Sequence, residues 1–498
     1  MLLLRGFRTT DMLFNSFTFL VFLPIVFALY WLLARRHRLQ NLLVIAASYT
    51  FYGWWDARFL WLIVMTSVCS FASGLLMDRF KGRDVTRRVV CASNIALNIA
   101  ILAVFKYFDF FAESMCRLLA LFGYHPDVVT LNLVLPVGIS FYTFQAVGYT
   151  IDTYRGKIAA SRDITEFFAF ICFFPQLVAG PIERATNLLP QFGHPRVFDY
   201  SKATDGLRQM LWGFFKKMVI ADNCAMAVEQ IWSDMGDMPG FMLFLGSVLF
   251  TFQIYGDFSG YSDIAIGCAR LFGIDLTRNF RYPYFSRSIP EFWRRWHISL
   301  MTWLRDYIYF PLGGSRGTIW HTMRNVLVVW IISGLWHGAN WTFVCWGLFY
   351  AVILTVHRLF GFKVAKDEPA QGGLLPSFKE MGMMLVTFLI VNLGWIIFRA
   401  PSLTEAVQYM ATMCSSSLFD VSASIGLMNG LQLSKAVPAI ALMLIAEWIQ
   451  RDKQHALQFT GQGLMSRSIA LRYTFYLLLI MTTLVYSGNK AEFIYFQF

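Results

Sequence analysis

Polar side chains set inside an otherwise apolar run are the first place where this sequence could do chemistry. Asn325–Val356 reads NVLVVWIISGLWHGANWTFVCWGLFYAVILTV, and its middle carries Ser333, His337 and Asn340, interleaved with Gly334 and Gly338. At helical spacing those three side chains share one face, with Trp341 beside them. Polar and ionisable groups at membrane depth normally face a bundle interior or a wet cavity and mark function. Desolvation disfavours imidazolium, so a buried ring tends to stay neutral. A neutral imidazole can take a proton from a hydroxyl as that oxygen attacks an acyl carbonyl, then return it to a leaving thiol. Such help is worth about 10²–10⁴-fold. His337 is therefore the candidate general base, and Ser333, Trp336 and Asn340 are candidate binding and orienting groups. The plainer alternative is packing, in which Gly334 and Gly338 form a GxxxG pair and His337 bonds across a helix contact.

A second stretch, Gln253–Gly317, departs furthest from membrane-like sequence. It opens with Asp257, Ser259, Tyr261, Ser262 and Asp263 among apolar residues, a pattern that reads as hydrogen-bonding scaffold. From Pro290 the spacing predicts one amphipathic helix, with Trp293, Trp296, Leu300, Trp303 and Tyr307 as its apolar stripe. Glu291, Arg294, Arg295 and Arg305 project elsewhere, and Glu291 and Arg295 are placed for an i,i+4 pair. An interfacial helix with arginines at the headgroups accounts for the charges. His297 fits that account less well. It lies far enough before His337 for an intervening loop and helix to fold back, which makes it a second candidate.

Several chemistries are excluded or unsupported. The eight cysteines stand singly, without CxxC or a Cys/His cluster at zinc spacing, so neither a disulfide framework nor a metal site is expected. HExxH, P-loop and GxGxxG patterns are absent, and no serine sits in a GxSxG elbow, so a covalent acyl-serine or acyl-cysteine is unsupported. No bound cofactor is called for.

The elements that must position these residues are membrane spans. Of the 498 residues, 57% are hydrophobic and only 14% charged, well below the quarter usual in soluble domains. Apolar runs near Leu13–Ala34, Asn41–Tyr52, Phe59–Met77, Val89–Phe111, Leu131–Tyr149, Phe167–Val178, Leu207–Trp232 and Phe241–Tyr255 precede the central one. Met383–Phe398, Ala436–Ile449 and Tyr473–Tyr486 follow it. Several are too short to cross alone, which suggests re-entrant pieces buried in protein. The expected fold class is an all-α polytopic membrane protein, with residues 1–498 forming a single membrane domain and a catalytic core at about 131–356. The net charge of +12 sits in short loops, so it speaks for orientation and lipid headgroups rather than nucleic acid. Basic clusters at 35–38 and 78–88 put those loops in the cytoplasm and the N-terminus outside. The run Leu13–Ala34 is too long for a cleavable signal, and Met12 reads as a start as well as Met1 does.

Six blocks together resemble the membrane-bound O-acyltransferase (MBOAT) family, and within it the bacterial branch of alginate O-acetyltransferases and teichoic-acid D-alanyl transferases. They are LPVGISFYTFQAVGYTIDTYRG (Leu135–Gly156), FFPQLVAGPIER (Phe173–Arg184), YGDFSGYSDIAIG, FWRRWHISLMTWLRDYIYFPLGGSR, SGLWHGANWTF and the terminal FIYFQF. They occur in family order along nearly the whole chain. The resemblance implies a ring of about eleven transmembrane helices plus re-entrant and interfacial helices. The ring would surround a thin centre where two opposed funnels meet. It carries the essential histidine onto His337 and a second, less uniform one onto His297. It implies an acyl thioester donor in the cytoplasm, acetyl-CoA or an acyl carrier protein, and an acceptor on the far side of a bacterial inner membrane. In the exopolysaccharide branch the next carrier is a periplasmic SGNH or esterase-like acetyltransferase or adaptor protein. The aromatic ending implies an acyl-relay role for Tyr495, whose phenol near a base is a reasonable nucleophile. An aromatic-belt position is the plain alternative.

Length and ending favour acetyl transfer to an alginate-like exopolysaccharide. D-alanyl transfer to teichoic acid, proton-coupled transport of a polymer or lipid-linked precursor, and a scaffold recruiting periplasmic partners remain as alternatives. The residues alone, without the resemblance, reach a polytopic protein with a buried functional histidine.

Overall fold

The computed structural model describes residues 12–365, 367–371, 373–431, 433–459, 464–487, 491 and 493–494. Among them the regular structure is helical throughout. By contacts the chain divides into two compact units, Met1–Leu207 with Ala265–Thr277, and Arg208–Ile264 with Arg278–Phe498.

The first unit holds α1 (Phe17–Leu32), α2 (His37–Asp56), α3 (Leu60–Arg79), α4 (Asp84–Leu102), α5 (Phe108–Ala120), α6 (Ile139–Tyr154), α7 (Ile164–Cys172), α8 (Phe174–Leu177) and α9 (Ala185–Phe192). Local chemistry sets the breaks. Asp56 has an extended backbone and accepts the Arg58 N–H, so the apolar stretch 37–79 becomes two 20-residue helices, each about 30 Å long at 1.5 Å per residue. Each matches the hydrocarbon core. Asp163 caps α7 by accepting the Thr165 N–H at 2.8 Å. The expected span over Leu131–Tyr149 begins later, since residues up to Val137 are irregular and Gly138, with φ +76°, starts α6. A Cβ there would lie 2.6 Å from the Leu177 carbonyl oxygen, so only glycine fits.

Helices α10 (Tyr200–Phe214) and α12 (Gly240–Leu271) straddle the unit boundaries, and α11 (Asp222–Ser233) lies between them. The second unit continues through α13 (Ile289–Arg295), α14 (Ile298–Leu304), α15 (Ile319–His337), α16 (Trp341–Leu359) and α17 (Phe378–Arg399). It ends with α18 (Leu403–Met413), α19 (Val421–Gly430), α20 (Leu433–Ile449), α21 (Leu464–Arg467) and α22 (Ile469–Tyr486). Among the described residues, six continuous helical stretches are long and apolar enough to cross a membrane, or seven if α19 and α20 form one broken span. The protein is therefore polytopic and all-helical. Several other helices are short and lie in protein, as expected for pieces that cannot face lipid alone.

Two expected elements differ. The central run Asn325–Val356 is a helical hairpin rather than one long span. Gly338 and Asn340 take extended backbone between α15 and α16, and Asn340 caps α16 through the Thr342 N–H. The glycines serve this fold-back. A Cβ on Gly334 would sit 2.2 Å from the Phe343 carbonyl oxygen, and one on Gly347 would sit 2.2 Å from that of Trp330. The helix that approaches the GxxxG pair is thus the next one in the chain. The amphipathic helix from Pro290 is likewise two short helices. Trp296 is extended and His297 left-handed (φ +45°), so the chain turns between α13 and α14. The whole aromatic stripe is buried, and so are Glu291 and Arg295, which were expected to project outward.

Candidate active site

His297 is built from three neighbouring segments of the second unit. Its left-handed backbone, tolerated better by His than by bulky or β-branched residues, lets it head α14. The Ile298 N–H donates to the Asn279 carbonyl oxygen at 2.9 Å, tying the turn to the strand-like stretch before α13. The Asn279 side chain then orients the ring. Its Oδ1 accepts the Ser299 backbone N–H at 3.3 Å and the Ser299 hydroxyl at 2.9 Å, while its Nδ2 donates to Ser262 Oγ at 3.1 Å. A backbone N–H can only donate, so the amide orientation is fixed.

His297 Nδ1 lies 3.2 Å from that same Oδ1 and must carry the proton. Nε2 therefore keeps its lone pair, and among the described residues it has no hydrogen-bond partner. Burial pushes this imidazole down to about 3, so the ring is neutral at physiological pH.

His337 ends α15 and is almost fully buried. Trp336, Trp346 and Phe398 meet its ring at nearly right angles, with centroids 5.0, 5.1 and 5.2 Å away. The indole of Trp336 also lies 5.5 Å from His297, so one indole separates the two imidazoles. Phe258 of α12 closes the other side of His297, edge-to-face at 4.7 Å. Position matters as well as burial. The C-terminus of a helix carries partial negative charge from its free carbonyls, which favours a cation there. His337 thus sits at the partly negative end of α15 with aromatic rings on three sides.

Ser333 lies one turn before His337, fully buried, and its Oγ has no hydrogen-bond partner among the described residues. Asn340 does not join this group. Its Oδ1 caps α16 and its Nδ2 donates to the Pro401 carbonyl at 3.1 Å. Trp341 is half exposed. The expected shared face of Ser333, His337 and Asn340 therefore holds for the first two only, because the helix stops at His337. Tyr495 lies outside the described residues.

Buried ion pairs hold the frame. Glu291 accepts from Arg295 at 2.9 Å and from Arg287 at 3.2 Å, and Arg295 also reaches Glu368 at 3.0 Å. Arg287 pairs in addition with Glu380 at 3.0 Å. These contacts pin α13, just ahead of His297, to the segment between α16 and α17. The Asp257–Asp263 cluster is scaffold of the expected kind but ionic. Lys216 meets Asp263 at 2.6 Å and Ser259 at 2.8 Å, and Lys217 meets Asp257 at 2.7 Å and Asp222 at 2.8 Å.

Sequence reasoning missed Asn279, Trp346 and Phe398. Asn279 stands in RNFRYPY, where no spacing rule links it to a histidine 18 positions on.

The MBOAT, membrane-bound O-acyltransferase, family model matches residues 50–393, a stretch that includes Asn279, His297 and His337. The chain belongs to that family. A probable alginate O-acetylase AlgI of Azotobacter vinelandii is 40% identical over 405 residues, covering 81% of this chain and 78% of that protein. Another so named from Pseudomonas putida is 36% identical, covering 98% of this chain and all of the relative. A peptidoglycan O-acetyltransferase of Helicobacter pylori is 31% identical over 99% of this chain and 98% of its own length. The expected family is thus borne out, and this MBOAT protein is a multi-pass membrane-bound O-acyltransferase.

Proposed function

We propose that this MBOAT protein moves an acetyl group from a cytoplasmic acyl thioester, acetyl-CoA or an acyl carrier protein, across the bacterial inner membrane for O-acetylation of an exopolysaccharide of alginate type. The observation that carries the reading is the pair of buried imidazoles flanking Trp336, one of them with a fixed tautomer. Relatives named for alginate and peptidoglycan O-acetylation support a polysaccharide as the end of the route.

In this reading His337 is the base. A hydroxyl oxygen attacks the thioester carbonyl carbon, its proton passes to the His337 imidazole, and a tetrahedral oxyanion forms. Collapse restores the carbonyl, breaks the C–S bond, and the departing thiolate takes the proton back. The attacking hydroxyl gives its single proton to His337, so the Nε2 lone pair of His297 accepts from a separate N–H or O–H of the thioester donor and orients it, while Ser333 donates to the carbonyl oxygen. Tyr495 is the proposed first acceptor, followed by a periplasmic SGNH or esterase-like acetyltransferase or adaptor that delivers the acetyl group to the polymer.

The test is incubation of purified protein with isotopically labelled acetyl thioester, followed by mass spectrometry and by assay of polymer acetylation in membranes. Wild type is expected to carry label and acetylate polymer, and His337→Ala to remain folded and inserted while doing neither. Full acetylation by a folded His337→Ala protein would overturn the assignment.

A further inference from the structure

The backbone at Ala491 and Ile494 is held by buried charges that the chemistry above does not use. Asp257 is a buried carboxylate on α12, and its two oxygens do different work. Oδ1 pairs with Lys217 Nζ at 2.7 Å, while Oδ2 accepts the Ile494 backbone N–H at 2.6 Å. Lys217 in turn donates to the Ala491 carbonyl oxygen at 3.2 Å and to Asp222 at 2.8 Å. Two backbone groups of the C-terminal segment, one acceptor and one donor, are therefore gripped by a single buried ion pair. Lys217 itself lies in a π-helical turn, Phe215–Ala221, between α10 and α11. Such turns insert an extra residue and are frequent at functional sites.

The grip has a consequence at the histidines. Phe493, between the two gripped positions, is 4% exposed and packs on Tyr261 at 5.0 Å and Phe258 at 6.3 Å. Phe258 is the ring that meets His297 edge-to-face at 4.7 Å. The path from clasp to imidazole runs Asp257, Ile494, Phe493, Phe258, His297 through a hydrogen bond, a peptide bond and two ring contacts.

We infer that Asp257 and Lys217 are positioning residues for acyl transfer, clasping the backbone at Ala491 and Ile494 so that the C-terminal segment is seated against the wall of the His297 site. They touch neither donor nor acceptor. They set where Ala491, Phe493 and Ile494 lie relative to His297, and the part of the inference that concerns turnover rests on the acyl-transfer reading above. Strength of the grip follows from its setting. A hydrogen bond to a charged group is stronger than a neutral one, and in a dry interior it is screened little.

Two measurements on the full-length protein in lipid nanodiscs test this. The first is digestion with a carboxypeptidase, read by intact mass. Wild type is expected to stop short of Ala491 because Ile494 is clasped, whereas Asp257→Ala and Lys217→Met are trimmed past residue 491. Asp257→Asn, which keeps an oxygen for the Ile494 N–H, is expected to be protected in part. The second is transfer kinetics from labelled acetyl thioester. Asp257→Ala should lower kcat at least tenfold with KM for the thioester unchanged, and Asp257→Asn should recover part of kcat. A merely structural defect would lower the active fraction without the rescue by Asn or the change in trimming. Wild-type protection or wild-type kcat in a folded Asp257→Ala protein overturns the inference. Absence of transfer by wild type would instead strike the proposed function, and the trimming result would still decide whether the clasp exists.

Discussion

His297 Nδ1 and Asn279 Oδ1 stand 3.2 Å apart, and that contact decides which nitrogen of the imidazole is free to meet a substrate. Because the Asn279 oxygen already accepts a backbone N–H, the proton belongs to Nδ1 and the lone pair to Nε2. Removing Asn279 takes away the acceptor that the His297 ring, the Ser299 hydroxyl and the Ser299 N–H share. Each buried donor left without an acceptor costs about 1–3 kcal/mol. Asn279→Ala is therefore expected to be destabilised and to lose at least tenfold in turnover. Asn279→Asp, which keeps the acceptor, should fall between it and wild type. Thermal melts in detergent and kcat for both variants check the order, and equal turnover in all three proteins would contradict it.

Ser333 offers a contrasting case. Its buried hydroxyl has no partner among the described residues, so replacing it by an apolar group is expected to be neutral to slightly stabilising for the fold. Ser333→Ala is expected to melt at or slightly above the wild-type temperature while kcat falls about 10²–10³-fold, the loss of one donor to the developing oxyanion. A variant with unchanged kcat would remove Ser333 from the site.

Acid should weaken the fold through His297. Its folded-state value lies near 3, while an unfolded histidine titrates near 6.5. Between those limits the unfolded chain binds the extra proton, so stability is complete above about pH 6.5 and is lost as pH falls toward 3, at up to about 1.4 kcal/mol per pH unit. Melting temperatures measured from pH 7.5 to pH 5 should drop for wild type and drop less for His297→Asn. Identical slopes would mean that the ring does not stay neutral in the fold.

The α15–α16 hairpin leaves no space at its glycines. A methyl group on Gly334 meets a backbone oxygen at 2.2 Å, which no side-chain adjustment can relieve. Gly334→Ala is expected to cost at least about 1–3 kcal/mol, and to move His337 because the helix that ends on it must shift. Low yield of folded protein, with reduced turnover in what is recovered, is the anticipated result. Normal folding and normal turnover would show that the hairpin can open at no cost.

What sequence determined by itself was the class of solvent and the identity of the chemistry-bearing groups. Apolar composition and run length specify a multi-pass helical protein because no other backbone arrangement in this composition satisfies its own hydrogen bonds in lipid. His337 and Ser333 stood out as polar groups inside an apolar run, and His297 because an interfacial helix accounts for it poorly. The six blocks then gave the family, which the comparisons bear out. Tertiary structure decided the rest, and for reasons that spacing cannot express. Helical periodicity assumes the helix continues, yet a close backbone approach at Gly334 and Gly347 folds the run back and removes Asn340 from the face. An apolar stripe looks the same on one helix or two, yet the left-handed turn at His297 splits it. Asn279 acquires its role only when a loop distant in sequence is brought to the ring, since the tautomer of a histidine is set by the neighbour that space, not sequence, provides.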